Sequence, residues 1–595
     1  MMRKNLKKGL AVLTAAAMCA SMAACGNTGS GKQEASDTTK SAESTASSEA
    51  EKKSEETGSK ESEKAEESTK DLYGFDEPVT VKVGIAEAAD YGYRDGESAE
   101  NNVWVDLYKT HNINQEIIYQ VDSSQGGTKL ANAIASGNYP DIILAEGTDY
   151  FNYAKTGVTA DITDVFEEYA SDELKEYLAS DDGVGLNSAM VDGRLYGLPL
   201  LGNSYDSVMI MFVRQDWLDN LGLSMPTTME ELHQVAKAFA EQDPDGNGKN
   251  DTYGLGLNGK DVFAYNSGVQ AFLEGFGAIP GYWGNNFTFV EKDGTVEWGG
   301  ADTEAMKAGL SLLNEMYQDG SIAKDFGVMD NDRITEEFSA SKCGIIFAPM
   351  WGAMGASGNT IKENPKAHIV AAKIPDGMGS GSSNPWFTSS TSSYYTVSSK
   401  CEHPELLIKL MNISVDILCN TESDEEFATY IADSEWKLSL TRTMKPLKNL
   451  DNFYKESKAL ETGDISELDA EQKSDYNNMK AYVDEMAKEN PDTSSDAVQG
   501  GIGLYSVFGD PNGGYSAIAK IKEDGKLNVS AYNTIPTDTM LAKYPTLNKL
   551  AMETIVKIIT GDASVDSYDD FLNNWKKLGG DEVTKEAQQW YDANK

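Results

Sequence analysis

Apolar and polar residues alternate through VTVKVGIAE (79–87), the pattern of a half-buried strand. In TKLANAIASGNYPDIILAE (128–146) the apolar residues first recur at helical spacing. A Gly-Asn-Tyr-Pro turn then interrupts them, and the continuous apolar run that follows reads as a buried strand. Gly126 and Gly127 break the chain ahead of that helix. A second unit repeats the order, with VMIMFV (208–213) as strand, QDWLDNLGL (215–223) as short helix and PTTMEELHQVAKAFAEQ (226–242) as long helix. Thr227 or Thr228 can cap the long helix, and Glu230 and Glu231 suit the positive end of its dipole. Repeated strand–helix units predict an α/β protein with mainly parallel sheets.

The amino-terminal region follows neither period. From Gly26 to Asp71 there is no Val, Ile, Leu, Met or aromatic residue, so the segment has nothing with which to build a core and is expected to be disordered. As a flexible coil its roughly 46 residues would span on the order of 40 Å, enough to hold a domain off a surface. Ahead of it, Arg3, Lys4, Lys7 and Lys8 precede an apolar run from Leu10 to Ala20, the layout of a secretory signal and too short for a mature membrane helix. The small residues before Cys25 resemble the lipobox of bacterial lipoproteins, with Met22 where leucine is usual. That resemblance implies a signal peptide over 1–24, a lipidated Cys25 and a tether over 25–71; the alternative is an ordinary signal cut near Ala24. Past Leu72 about 520 residues remain, too many for one core, and no later run approaches a membrane span.

A formal net charge of −44 argues against nucleic-acid or anionic-surface partners, because a polyanion repels phosphate. Cys343, Cys401 and Cys419 are an odd set for a disulfide framework, and Cys343 in CGIIF reads as buried packing. The four histidines are scattered, and HExxH, GxSxG, Walker and CxxC patterns are absent. Carboxylates are so common that none can be singled out as a glycosidase pair.

YPDIILAE (139–146), DGRLYGLPL (192–200), FVRQDWLDNLGLSMPTTMEELHQVAKAF (212–239), FSASKCGIIF (338–347) and the ending YDDFLNNWKKLGGDEVTKEAQQWYDANK (568–595) together resemble family 1 extracellular solute-binding proteins of ABC transporters. The likeness spans nearly all of the chain past Leu72, and the stretch from about 420 to 540 is the part hardest to place. It implies a two-lobed, periplasmic-binding-protein-like fold, each lobe a mainly parallel sheet flanked by helices, with a ligand cleft between the lobes. Lobe I would comprise 72–200 completed by about 388–450, and lobe II 201–387 completed by much of 451–595. One crossing is expected near Leu200–Tyr205 and another near Thr388–Ser393. The function implied is a lipid-anchored monomeric receptor that hands an oligosaccharide to a permease, without enzymatic activity. A peptide or other polar solute is the alternative ligand, and a secreted polysaccharide-degrading enzyme or an adhesin are the alternatives of another class.

DPDGNGKND (243–251) places Asp243, Asp245 and Asn247 at positions 1, 3 and 5 of an EF-hand-type loop. Gly248 supplies the turn, Lys249 offers a carbonyl, and Asp251 falls at position 9. Gly254 stands where the bidentate glutamate would be, so a helix–loop–helix sensor is excluded. Some oligosaccharide-binding members of the family hold structural Ca²⁺ in a similar loop, often with an acid where this chain has Thr252. The competing reading is a solvated acidic turn, and in either case the loop belongs to the scaffold.

Ligands of open α/β sheets bind beyond the carboxyl ends of strands, which points to Glu146 and, after CGIIFAPMW, to Trp351. A sugar presents apolar C–H faces edged by hydroxyls, so flat aromatic residues are sought. Trp351, Trp386, Trp283, Tyr205 and Tyr91 are the candidates, with Tyr93 beside Tyr91. Trp104, Trp217 and Trp575 sit among helical apolar residues and read as core.

Overall fold

The computed structural model describes residues 70–87, 92–180, 183–202, 205–282, 287–352, 354–379, 381–383, 386–387, 391, 393–421, 423–445, 447–525, 528–532 and 536–594. The expected signal peptide 1–24, Cys25, the tether as far as residue 69, Tyr91 and Trp283 lie outside the described residues. Among the described residues no helix is long and apolar enough to cross a membrane.

The elements that position the site begin with β1 (Val79–Glu87), α1 (Val103–Thr110), β2 (Ile113–Asp122), α2 (Gly126–Ser136), β3 (Ile142–Glu146), α3 (Gly147–Thr156), α4 (Asp172–Ala179) and β4 (Leu198–Pro199). There follow β5 (Ile210–Arg214), α5 (Gln215–Leu221), α6 (Met229–Glu241), β6 (Tyr253–Leu255), β7 (Cys343–Ala348), β8 (Ile369–Ala372), β9 (Trp386–Phe387) and β10 (Ser393–Val397). Then come α7 (Leu406–Asn420), α8 (Lys448–Thr462), α9 (Ala470–Met486), α10 (Gly514–Asp524), β11 (Asn528–Val529) and α11 (Asp538–Thr560). The stretch that resisted placement from sequence is helical for most of its length.

Among the described residues there are two large apolar cores and a small third cluster of Ile361, Ala367, Tyr482, Val498 and Ile502. Of the large cores, one draws on residues from Val81 to Leu201 and from Tyr394 to Ile417. The other draws on residues from Val208 to Ile374 and from Leu450 to Ala587. We refer to the surrounding structures as lobe I and lobe II. Thr228 caps α6 in a reciprocal box with Glu231, which settles the choice between the two threonines. Trp104, Trp217 and Trp575 are buried. Trp217 packs edge-on to Phe239 and lies under the guanidinium of Arg214, itself buried and held by both oxygens of Asp216. Cys343, Cys401 and Cys419 are free thiols.

The sheets are mixed rather than mainly parallel. In lobe I, β1 and β2 are parallel, whereas β10 is antiparallel to both β3 and β4. Asp141 joins the two groups, because its N–H donates to the Lys82 carbonyl and its carboxylate accepts from the Lys82 N–H. In lobe II, β5 is antiparallel to β7 and β8, and β7 is parallel to β6. The exceptions share a cause. β5 and β10 are the strands by which the chain enters a lobe from the other one. Each therefore runs away from the crossing, while strands built by helix return run toward it.

Candidate cleft between the lobes

The crossings define which edge of each lobe faces the other. In lobe I the chain leaves at Leu200, whose N–H donates to the Ser393 carbonyl, and Ser393 pairs with Glu146 in the antiparallel register. Glu146 is thus exposed beside this crossing, at the carboxyl end of β3. It also precedes α3, whose first residue, Gly147, has φ +46°, in the left-handed region that favours glycine. The parallel strands β1 and β2 end on the same side at Glu87 and Asp122, which are register partners.

This adjacent carboxylate pair is the feature that a hydrolase reading would need, yet both groups are engaged locally. Glu87 accepts from the Tyr93 hydroxyl and from Gln120. Asp122 accepts from the N–H and hydroxyl of Ser124. Glu87 and Asp122 were missed from sequence because their pairing depends on strand register.

In lobe II the chain enters at Ile210, opposite Ala348 in register, so the carboxyl ends of β6, β7 and β8 lie on the facing edge. Trp351 follows β7 there. Its ring lies 5.3 Å from that of Tyr265, with the planes inclined by 38°. Tyr265 arrives on the loop after β6, a position that no local pattern marks. Tyr205 lies on the crossing itself, half-buried, with the Lys522 ammonium 5.8 Å from its ring centroid; burial raises its pKa. The Trp386 backbone pairs with Asn528 in the short parallel ladder of β9 and β11, and its side chain lies outside the described residues.

Behind the lobe II edge, Glu274 is 1% exposed and neither carboxylate oxygen has a hydrogen-bond partner. Burial holds its pKa well above the ordinary carboxylate value, opposed by Lys373. A neutral acid there costs less than a buried charge. Lobe II also carries a groove of about 1130 Å³ between the Asn258–Asp261 loop and α11, lined by Tyr544, Pro545 and Met552.

The acidic loop lies after α6. The N–H groups of Asn247 and Gly248 donate to Asp243, and the side-chain amide of Asn247 donates to Asp245 at 2.7 Å and Asp251 at 3.1 Å. Its carbonyl oxygen meanwhile accepts from the Lys249 N–H. Among the described residues no three His, Cys, Asp or Glu side chains form a metal cluster. In this loop an amide NH₂ holds together carboxylates that would otherwise repel. Burial raises the Asp245 pKa, and the Asp243 and Asp251 charges add to the rise. Like-charge crowding of this kind is what a cation relieves, so the donor set fits Ca²⁺. The Thr252 hydroxyl donates to the Phe239 carbonyl and closes the end of α6.

Residues 93–414 match the family model for bacterial extracellular solute-binding proteins. The chain belongs to that family. Among curated relatives of this solute-binding protein, the polygalacturonan/rhamnogalacturonan-binding protein YtcQ of Bacillus subtilis is 29% identical over 42% of this chain. The match spans 47% of YtcQ, less than half its length. The lipoprotein LipO of B. subtilis is 23% identical over 80% of this chain and 86% of its own. Among solved structures, the human-milk-oligosaccharide (HMO) binding solute-binding protein of Bifidobacterium longum infantis aligns over 87% of this chain and 99% of its own. The TM-score is 0.59 at 18% identity. FusA of Streptococcus pneumoniae, solved with kestose, aligns over 87% of this chain and 100% of its own, with a TM-score of 0.54 at 18% identity. These likenesses establish the two-lobed solute-binding fold.

Proposed function

We propose that this solute-binding protein is the receptor of an ABC importer, held to the outer face of the cell membrane by a lipid on Cys25. It would close lobe I (72–200 with about 388–450) and lobe II (201–387 with much of 451–595) as two bodies around an oligosaccharide, passing it to the permease unchanged. The observation that carries the reading is what stands on the edge of each lobe next to the crossings. An inclined Trp351–Tyr265 pair stands on one edge and a row of carboxylates with a phenol and an amide on the other. Aromatic plates cover the C–H faces of a sugar, while fixed polar groups take its hydroxyls.

YtcQ is a polygalacturonan/rhamnogalacturonan-binding protein, and FusA is a fructooligosaccharide substrate-binding protein. The acidic lobe I edge favours a neutral chain of the second kind over a uronate, whose carboxylates it would repel. Trp386, Trp283 and Tyr91 remain proposed contacts beside Trp351, Tyr205 and Glu146. Ca²⁺ would be held by Asp243, Asp245, Asn247, the Lys249 carbonyl and Asp251, and would stiffen the loop without touching the ligand.

Calorimetric titration with neutral oligosaccharides and with oligouronates, paired with small-angle scattering, tests the proposal. One-to-one binding of a neutral oligosaccharide with compaction is expected. Cleavage of the sugar, or compaction with a peptide and with no sugar, would overturn it.

A further inference from the structure

The third crossing runs through residues 439–448, and among its described residues none belongs to a strand. Its N–H groups instead meet tyrosine hydroxyls of lobe I at alternate residues. Leu440 donates to Tyr108 at 2.9 Å, Arg442 to Tyr395 at 2.9 Å and Met444 to Tyr177 at 3.5 Å. In an extended chain alternate N–H groups point the same way, so the tyrosines serve as rungs for one edge. On the other edge the Thr441 carbonyl accepts from Ser414 and Ser439, and the Thr443 hydroxyl donates to the Ser414 carbonyl. Burial raises the pKa of all three phenols and keeps them neutral.

The Tyr177 hydroxyl also accepts from Leu201 N–H at 3.2 Å, and Leu201 opens the first crossing. It therefore ties the first and third crossings together where they leave lobe I. A second tie stands where they enter lobe II. There Asp206 of the first crossing accepts from the side-chain amide of Asn449, at the start of α8, at 2.7 Å. Its other oxygen accepts from the hydroxyl of Tyr515 on α10. Tyr515 is itself buried and stacked on Phe508.

We propose that Tyr177 and Asp206 are positioning residues for lobe closure, yoking the two crossings at both ends so that they bend together about one axis. Two unyoked chain segments could bend, twist and shear independently, and the cleft edges would meet in many registers. With both ends tied, the two crossings move as a pair, and Trp351 and Glu146 approach along one path. The inference rests on the closing-lobe reading, but its test needs no ligand.

Dyes are attached through p-azidophenylalanine placed at Glu167 of lobe I and Glu304 of lobe II, both exposed, and single-molecule energy transfer reads the inter-lobe separation in ligand-free full-length protein. Tyr177→Phe and Asp206→Ala should each widen the distribution and populate separations absent from the parent. Asp206→Asn, which keeps one carbonyl acceptor, should fall between. Tyr139→Phe, which removes a lobe I phenol that bonds Val158 away from the crossings, should leave it unchanged. Unchanged distributions in folded Tyr177→Phe and Asp206→Ala, or equal widening in Tyr139→Phe, would overturn the proposal. If Tyr177→Phe does not fold, Asp206→Ala decides. Failure of the oligosaccharide reading would show separately, as a parent distribution that no sugar narrows.

Discussion

Trp351 and Tyr265 meet at 5.3 Å and 38° beyond the carboxyl ends of β7 and β6 in lobe II. Each ring arrives on its own loop, Trp351 after β7 and Tyr265 after β6, so the pair forms a shallow aromatic corner. Trp351→Ala should cost about 1–3 kcal/mol of oligosaccharide affinity, the range for burying a large apolar side chain. Titration calorimetry checks this, and an affinity within about twofold of the parent would remove Trp351 from the site.

Asp243→Ala combined with Asp251→Ala should abolish any rise in melting temperature on adding Ca²⁺. A ligand bound only to the native state adds RT ln(1 + [L]/Kd), about 2.7 kcal/mol at a hundredfold excess over Kd. Thr252→Val should instead lower the melting temperature with and without Ca²⁺ and preserve the response, because Thr252 bonds to α6. A parent protein whose melting ignores Ca²⁺ would reduce the loop to a solvated turn.

Glu456 on α8 is fully buried with neither carboxylate oxygen partnered, and its pKa is pushed up to about 10 by burial and then by Asp475, Glu471 and Asp469, with Lys448 opposing. Asp475 on α9 is pushed to about 7, again by burial first. Both native pKa values lie above those of the unfolded chain, so between the two values the native state binds more protons. Stability then falls as pH rises. The Asp475 contribution is lost from about pH 4 to 7, and that of Glu456 from about pH 4.5 to 10. Glu456→Gln should raise the melting temperature at pH 8 and leave it nearly unchanged at pH 4. A gain of equal size at both pH values would show that packing, not ionisation, was altered.

Cys25→Ser should release the protein from membranes while leaving ligand affinity within about twofold. Fractionation and mass spectrometry of the mature terminus decide this. A variant that stays membrane-bound would refute the lipid anchor.

The residue pattern alone was enough to predict the elements whose causes are local. Alternation in VTVKVGIAE is a strand with Val81 and Val83 buried. The threonine before MEEL is a cap. The tryptophans at helical apolar positions are core. Such features depend on period and on neighbours a few residues away, which are all visible in the chain. The end of β3 at Glu146 was legible for the same reason.

Strand direction was not legible, because β5 and β10 are antiparallel only through their entry from the other lobe, a property of the path and not of the strands. Nor was Tyr265 beside Trp351, nor the engagement of Glu87 by Tyr93 and Gln120, since each follows from loops and registers that packing selects. The rungs under the third crossing lie furthest from any local signal. Tyr108 is 332 residues from Leu440 and Tyr177 is 267 from Met444. A phenol on an apolar helix face reads as core by its spacing, and so it is. That its hydroxyl ends beneath a passing backbone was decided only when the tertiary structure buried an extended segment whose N–H groups needed acceptors.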